Sequence, residues 1–458
     1  MTSPEPQNGQ TNVSNRRPSI SQDKLVPFSS AKPPAPGAEL RLVFVGAGQV
    51  LFGGETGRVL LPAFETSLTQ LIPVLLRHRP WDHSFRLEHH LGPRLKVLAL
   101  IDPSRPTAEA VLDRKKSSFV ASAYKHAKIY PNLDDFVNDT KGEGARPHAF
   151  IVGSPPAFRG STKQGRDVEL AIHRLFPTDT PAIFLEKPLS TDSPEEAQQV
   201  ARTLLDSQTV VSVGYFLRYL RVVQQMRTII EDNNLEVMST VARYASTYSV
   251  STKKAWWMKS IDCGPICEQA THFCDLSRYF GGAVDLDSIS ANQLDWDEPA
   301  GALTDMPIDE ASIPPDDRIP RVTSANWKYE SGAVGSLTHM LVLQGYRYSC
   351  ELEVYADGYQ LKLIDPYNNP ELRVRTPASD EEHVYTFERD DPYASELNAF
   401  IDAADASQSP HTVGGGVDPK AGILCDYQDA CKTYAFSWAI RRSAEENQKR
   451  FKKRRVVE

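Results

Sequence analysis

A chain of 458 residues, 40% apolar and 24% charged, has room for two domains and the composition of an ordinary globular protein. A net charge of -8 and a pI near 5.8 exclude general nucleic-acid affinity. No run of about 18 apolar residues exists and the first residues hold no apolar signal core, so neither a membrane span nor secretion is expected.

Residues 1–38 are rich in Ser, Pro, Asn and Gln without apolar periodicity, and read as a disordered arm. Leu40 to Val45 is then a strand, followed directly by Gly46-Ala47-Gly48. A dinucleotide-binding fold begins this way: the first glycine permits a tight turn, the second lets the backbone approach a pyrophosphate, and a helix N-terminus holds that anion. The position of the third glycine is Leu51, while Gly53, Gly54 and Gly57 follow, so a lengthened turn with a helix from about Thr56 is expected. The second strand, Leu95 to Ile101, ends at Asp102, where a carboxylate takes the adenosine ribose hydroxyl and favours NAD over NADP. Asp102 lies further from the glycines than the usual ~20 residues. An insertion over Arg77 to Pro93 would fill the gap, and Arg105 keeps NADP open.

Beta and alpha then alternate as a doubly wound parallel sheet requires. A helix spans Thr107 to about Tyr124, a strand lies near Ala127 to Tyr130, and a helix starts near Leu133. The strand Ala149 to Val152 ends in Gly153-Ser154-Pro155-Pro156, a loop beside which a nicotinamide ribose would lie, and a helix runs from about Gln164 to Arg174. The next strand is Ala182-Ile183-Phe184-Leu185, with Glu186-Lys187-Pro188 at its carboxyl end, where ligands of parallel sheets sit. A solvated strand end before a helix over Ser193 to Leu205 is the plainer reading of that tripeptide. Thr209 to Gly214 supplies a sixth strand and completes a nucleotide-binding domain at 39–214.

Past Gly214 the pattern changes to period-two runs, Val237–Ser246, Arg321–Tyr329, Ala333–Leu343, Ser349–Ala356 and Gln360–Ile364, which form an open, largely antiparallel sheet in a second α/β domain at 215–445. Asp295 to Asp317 reads as an acidic surface loop, and Tyr393–Ala404 and Pro419–Glu446 as amphipathic helices. Gly264-Pro265 starts a helix on which Glu268, His272 and Asp275 share one face at i, i+4, i+7. His272 suits proton transfer near neutral pH, and a neighbouring carboxylate would fix its tautomer; a satisfied, partly buried histidine is the bland alternative. Cys263, Cys267 and Cys274 lie nearby, but without a C-x2-C pair they read as packing thiols, and no metal site is expected. Trp256-Trp257 fit either a sugar face or core packing. The six cysteines suit a reducing compartment, so a cytoplasmic protein is expected. The basic run within residues 446–458 admits a nuclear-import signal, an anion-binding tail or solvated helix-end charge.

With these motifs assembled, residues 40 to 440 resemble the Gfo/Idh/MocA oxidoreductases, the glucose-fructose oxidoreductase and inositol 2-dehydrogenase family. The likeness rests on Gly46-Ala47-Gly48, the Ser154-Pro155 loop, Glu186-Lys187-Pro188, Gly214 to Tyr219, and Gly264 to Asp275. It implies a Rossmann domain, a C-terminal domain whose sheet often mediates homo-oligomers, and hydride transfer between NAD(P) and a carbinol carbon of a small sugar- or inositol-like substrate. Carried over, Lys187 and His272 would be catalytic, with His272 the proton acceptor in oxidation. Glu268, Asp275, Arg218 and Trp257 would bind substrate. Gly46, Gly48, Gln49, Asp102, Ser154, Pro155, Glu186 and Lys187 would bind cofactor. Glu268 stands where the family usually has Asp, and the family's His after a Thr-Pro loop has no counterpart in Ser154-Pro155-Pro156-Ala157-Phe158-Arg159. A cofactor-sensing regulator on the same scaffold, or redox-neutral hydrolysis or elimination with tightly held NAD, are the competing functions.

Overall fold

The computed structural model describes residues 38–54, 81–140, 146–407 and 420–457. A six-stranded sheet in the order β3-β2-β1-β4-β5-β6 comes first: β1 (Leu40–Val45), β2 (Leu95–Ile101), β3 (Lys128–Tyr130), β4 (Ala149–Val152), β5 (Ala182–Leu185) and β6 (Val211–Val213). Every pair in it is parallel. Leu40, Val43 and Phe44 of β1 and all of β4 and β5 are buried, as a sheet covered on both faces demands. Each such side chain contributes about 1.5–3 kcal/mol on burial.

Three connections differ from what periodicity suggested, and a fourth expectation is not covered. A short helix, α1 (Gln49–Phe52), follows the glycine turn, and the helix expected from about Thr56 lies outside the described residues. The stretch read as an insertion over Arg77 to Pro93 holds α2 (His83–Leu91), capped by Asp82, whose side chain accepts from the Phe85 N–H; Leu87 and Leu91 are fully enclosed. The single helix expected over Thr107 to Tyr124 is α3 (Arg105–Lys116) and a separate turn, Ala121–Tyr124, because Ser117 and Ser118 bond back to Asp113 and Lys115 and end the first. A helix expected from Gln164 begins at Val168 as α4 (Val168–Leu175), since Gly160 and Gly165 take positive φ (69° and 82°) and keep the chain in a loop.

The second sheet has eight strands in the order β14-β13-β12-β11-β7-β10-β9-β8. They are β7 (Val237–Thr247), β8 (Val284–Leu294), β9 (Val322–Tyr329), β10 (Val334–Leu343), β11 (Ser349–Ala356), β12 (Tyr359–Ile364), β13 (Glu371–Thr376) and β14 (Ser379–Thr386), antiparallel except for the β7–β10 pair. Strands β8, β13 and β14 were not among the expected runs: β14 is an edge strand exposed along most of its length, β8 breaks register between Asp285 and Ser290, and β13 alternates but over six residues only. One face is covered by α5 (Arg221–Asp232) and by α6 (Pro265–Glu268) and α7 (Thr271–Gly281).

The last helices close the molecule. In α8 (Pro392–Ser407), Leu397, Phe400, Ile401, Ala403 and Ala404 complete the core beneath β1, β2 and β5. Helix α9 (Tyr427–Val457) starts after Asp426, which accepts from the Asp429 N–H, and places Tyr427 to Tyr434 in the first domain's core and Phe436, Ile440 and Ala444 in the second's. It runs through the basic cluster, where Lys452 bonds Asp295 and Asp297. No helix among the described residues is long and apolar enough to cross a membrane.

Candidate active site

The glycine turn sits at the carboxyl end of β1. Gly46 has φ +100°, and a Cβ there would come within 3.1 Å of the Ser154 nitrogen, so the turn can lie against the β4 loop only as glycine. The Ala47 N–H donates to Asp102 Oδ2 and the Ser104 N–H to Oδ1, both at 2.7 Å. The carboxylate expected to face a ribose therefore also clamps the turn. A Cβ on Gly48 would meet nothing within 4 Å, which leaves open space above the turn, and Gln49 beside it is exposed. Leu51 fills the place of a third glycine because Gly153 makes room: a Cβ on Gly153 would overlap the Leu51 side chain at 2.5 Å. The buried Ser154 Oγ has no partner among the described residues. An open turn and an unpartnered hydroxyl at the end of β4 are what a nicotinamide dinucleotide needs, so these residues fit that cofactor.

At the end of β5, adjacent residues diverge as strand geometry requires. Glu186 turns toward α2, where His83 Nε2 lies 2.6 Å from its Oε1. Burial alone would raise the Glu186 carboxyl, but His83, Lys187 and Arg159 outweigh it and hold the group below the usual carboxylate range. Lys187 reaches the other way, across the domain boundary, and its Nζ donates to Glu268 O at 2.9 Å and Oε1 at 3.2 Å. Trp256 Nε1 donates to Glu268 Oε2 at 2.9 Å. Against the cost of burial, Lys187 and Trp256 keep the Glu268 carboxyl below its ordinary value. An ammonium has three N–H bonds and Glu268 takes two, which leaves one for a reacting oxygen.

His272 is enclosed by the rings of Phe216 (4.9 Å between centroids) and Tyr215 (5.8 Å), and its Nδ1 has no partner among the described residues. Burial, and then the Lys187 charge, push its pKa well below the ordinary histidine value. The ring is thus neutral at physiological pH and able to accept a proton.

The sequence of residues 40–215 matches the family model described as "Oxidoreductase family, NAD-binding Rossmann fold" (Gfo/Idh/MocA), and residues 218–359 match an oxidoreductase C-terminal domain model. Two fission yeast (Schizosaccharomyces pombe) proteins are similar over most of their length: uncharacterized protein UNK4.17, 47% identical over 79% of this chain and 86% of its own, and uncharacterized protein C12C2.04, 39% identical over 88% and 97%. The chain belongs to the Gfo/Idh/MocA oxidoreductase family. Among solved structures, a levoglucosan dehydrogenase in complex with NADH and L-sorbose superposes with a TM-score of 0.61, covering 90% of this chain and 98% of that one, at 15% identity, which speaks to the fold.

In this Gfo/Idh/MocA member, the structure brings Lys187, Glu268 and His272 together but not the rest of the expected substrate contacts. Arg218 donates through Nε and Nη2 to Asp275 at 2.7 and 2.6 Å, and its Nη2 also meets Asp429 at 2.6 Å; Arg218 and Asp275 are 3% and 1% exposed. Their substrate-binding role is corrected to a buried ion pair, because their polar atoms are spent on each other. The same pair explains the cluster Asp275, Cys425 and Asp429, which has metal-ligand spacing: a guanidinium already supplies the cation. Trp257 is fully enclosed and donates to Ser251 O, so Trp256, one residue earlier, is the indole that faces Glu268. Pro155 is exposed at the cleft rim. All six cysteines are free and buried.

Sequence reasoning missed His83 and Arg159, and of the pair Trp256-Trp257 it took the wrong indole as the substrate contact. Arg159, 1% exposed, donates to the Lys187 carbonyl at 3.3 Å, and its Nε and Nη1 have no partner among the described residues. The stretch after Asp82 read only as an insertion, and a contact between positions 83 and 186 leaves no local signal.

Proposed function

We propose that this protein is an NAD-dependent oxidoreductase that moves hydride between the nicotinamide and a carbinol or carbonyl carbon of a small polyhydroxylated or cyclic, sugar- or inositol-like substrate. The observation that carries this reading is the meeting, at the carboxyl end of β5, of the Lys187 ammonium, which among the described residues bonds Glu268 alone, with the neutral, enclosed His272 of α7. The dinucleotide supplies the hydride acceptor or donor. Oxidising a secondary alcohol builds negative charge on its oxygen as the hydroxyl proton leaves, and Lys187 is set to stabilise that charge in a cleft walled by aromatic rings. His272 takes the proton. Glu268 holds the ammonium in place and offers a carboxylate to a neighbouring substrate hydroxyl. The levoglucosan dehydrogenase named above holds NADH and L-sorbose, which agrees with this substrate class.

Asp102 at the adenosine end favours NAD, whereas Arg105, which would favour a 2′-phosphate, is drawn to Glu109 at 2.8 Å. Free, buried thiols support work in a reducing compartment such as the cytoplasm. The open face of the eight-stranded sheet is the surface we assign to self-association.

Binding of NAD and NADP in both redox states, followed by reduced-nicotinamide absorbance against sugars, inositols and cyclic ketones, tests the proposal. NAD is expected to bind more tightly than NADP. Lys187→Ala and His272→Ala should each lower turnover by about 10²- to 10⁴-fold while dinucleotide binding persists. Unchanged rates in both variants would sink the site assignment.

A further inference from the structure

Glu186 and Lys187 are neighbours of opposite charge, yet they do not pair. Lys187 goes to Glu268, and Glu186 goes to His83, a residue 103 positions earlier whose side chain is wholly enclosed. The ring of His83 is wedged between Phe184 (5.4 Å between centroids) and Tyr393 (6.1 Å), and Tyr393 stacks at 4.0 Å on the Phe216 ring that encloses His272. The start of α2 is fixed as well, because Asp82 Oδ1 accepts from Ser84 Oγ and the Phe85 N–H. The end of α1, the short helix that follows the glycine turn, abuts it: a Cβ on Gly53 would come within 3.1 Å of Asp82 Oδ2. On the opposite side Gly214 leaves space for the carboxylate, since a Cβ there would lie 3.2 Å from Glu186 Oε2. An ionised carboxylate only accepts, so Nε2 carries the shared proton.

We infer that His83 is a positioning residue for the dinucleotide end of the site: it fixes the Glu186 carboxylate away from Lys187 and ties it, through the start of α2, to the end of α1, the helix that follows the glycine turn. The pairing leaves the Lys187 ammonium to Glu268 and the substrate. This rests on the function proposed above for what the site holds, and on geometry alone for the pair.

The groups that face Glu186 are His83 from α2, Lys187 from its own strand end, Arg159 from the β4 loop, and Tyr393 and Glu396 from α8. Burial, and then the Glu186 and Asp275 charges, push the Glu396 carboxyl well above its ordinary value. Without His83, burial still raises the Glu186 carboxyl and only Lys187 and Arg159 remain to lower it, so its pKa moves up relative to wild type. A carboxyl raised in the folded state destabilises that state as pH climbs past its unfolded value of about 4.3.

The test compares wild type, His83→Gln, which keeps a donor, and His83→Leu, each with and without Glu186→Gln. Thermal unfolding of the protein without added dinucleotide and NADH affinity are both measured from pH 5 to 8. The gap in melting temperature between wild type and His83→Leu should widen as pH rises, His83→Gln should close most of it, and Glu186→Gln should flatten it. NADH affinity of His83→Leu should fall about tenfold relative to wild type by pH 8, the equivalent of one pK unit. Should His83→Leu fail to fold, His83→Asn, a donor on a shorter stem, replaces it. Profiles that match the wild type's in both measurements overturn the role of His83. A wild type that binds neither dinucleotide instead overturns the proposed function, and the unfolding profiles still decide the pair.

Discussion

Leu51 and Gly153 show how a broken motif is repaired by a residue a hundred positions away. The third glycine of the dinucleotide fingerprint serves close packing of helix on strand. Here the bulk at position 51 is accepted because position 153, at the end of β4, has no side chain. Gly153→Ala should therefore destabilise the protein by about 1–3 kcal/mol through overpacking, and Leu51→Ala by about 2–5 kcal/mol through the cavity it leaves. Together the two changes should cost less than their sum, since the added methyl enters the vacated space; urea unfolding of the four proteins measures the difference. A simple sum would mean that the two sites are uncoupled. The substitution at Leu51 was plain from the sequence, but its compensation was not, because nothing local marks Gly153 as the partner.

Between elements, charge does the joining. The Arg218–Asp275 pair links the turn after β6 to α7, and Asp429 of α9 adds to it while also binding Arg278 at 2.8 Å. Removing Arg218 leaves Asp275 buried without its cation, and Arg218→Ala is expected to lose about 3–5 kcal/mol. Burial works to raise the Asp429 carboxyl, but Arg218 and Arg278 prevail and hold it well below the usual range. Such a group stabilises the fold above its unfolded pKa, and that contribution is lost as pH falls toward the folded value. Asp429→Asn should thus melt lower than wild type at pH 7, with the gap shrinking below about pH 4. Melting curves across that range check the sign, and a constant gap would show that Asp429 acts by packing rather than by charge. Because the network lies behind the cleft rather than in it, dinucleotide binding by Asp429→Asn should match the wild type at pH 7.

At the scale of the whole molecule, the described residues cover the eight-stranded sheet on one side only. The other side presents Val241 (41% exposed), Val334 (49%) and Val342 (44%), with Arg243, Met340 and Glu351 between them. The β7 and β10 residues come from adjacent strands in register, with Val241 opposite Ser336 and Arg243 opposite Thr338, so the valines alternate with polar side chains across the face. We expect light scattering to give a mass above that of one chain, and Val241→Asp with Val342→Asp to shift it to the monomer with the melting curve of the isolated fold intact. A wild-type monomer at micromolar concentration would leave the sheet face without this role.

By itself the sequence determined the elements whose period is strong: β1, β2, β4 and β5 at their full extents, five strands of the second sheet, and Lys187 at a strand end; the one helix expected to carry Glu268, His272 and Asp275 on a single face is instead α6, which ends at Glu268, and α7, which begins at Thr271. Those signals are local, since burial on both faces writes a continuous apolar run and burial on one face writes an alternation. The tertiary structure alone decided what lies beside what. It turned Arg218 and Asp275 toward each other, put Trp256 rather than Trp257 against Glu268, and made a buried partner for Glu186 out of a stretch that read as an insertion. Edge strands such as β14, exposed on both sides, carry little pattern to read. Contacts between distant positions are set by shape and by the need to satisfy buried charge, and neither leaves a period in the chain.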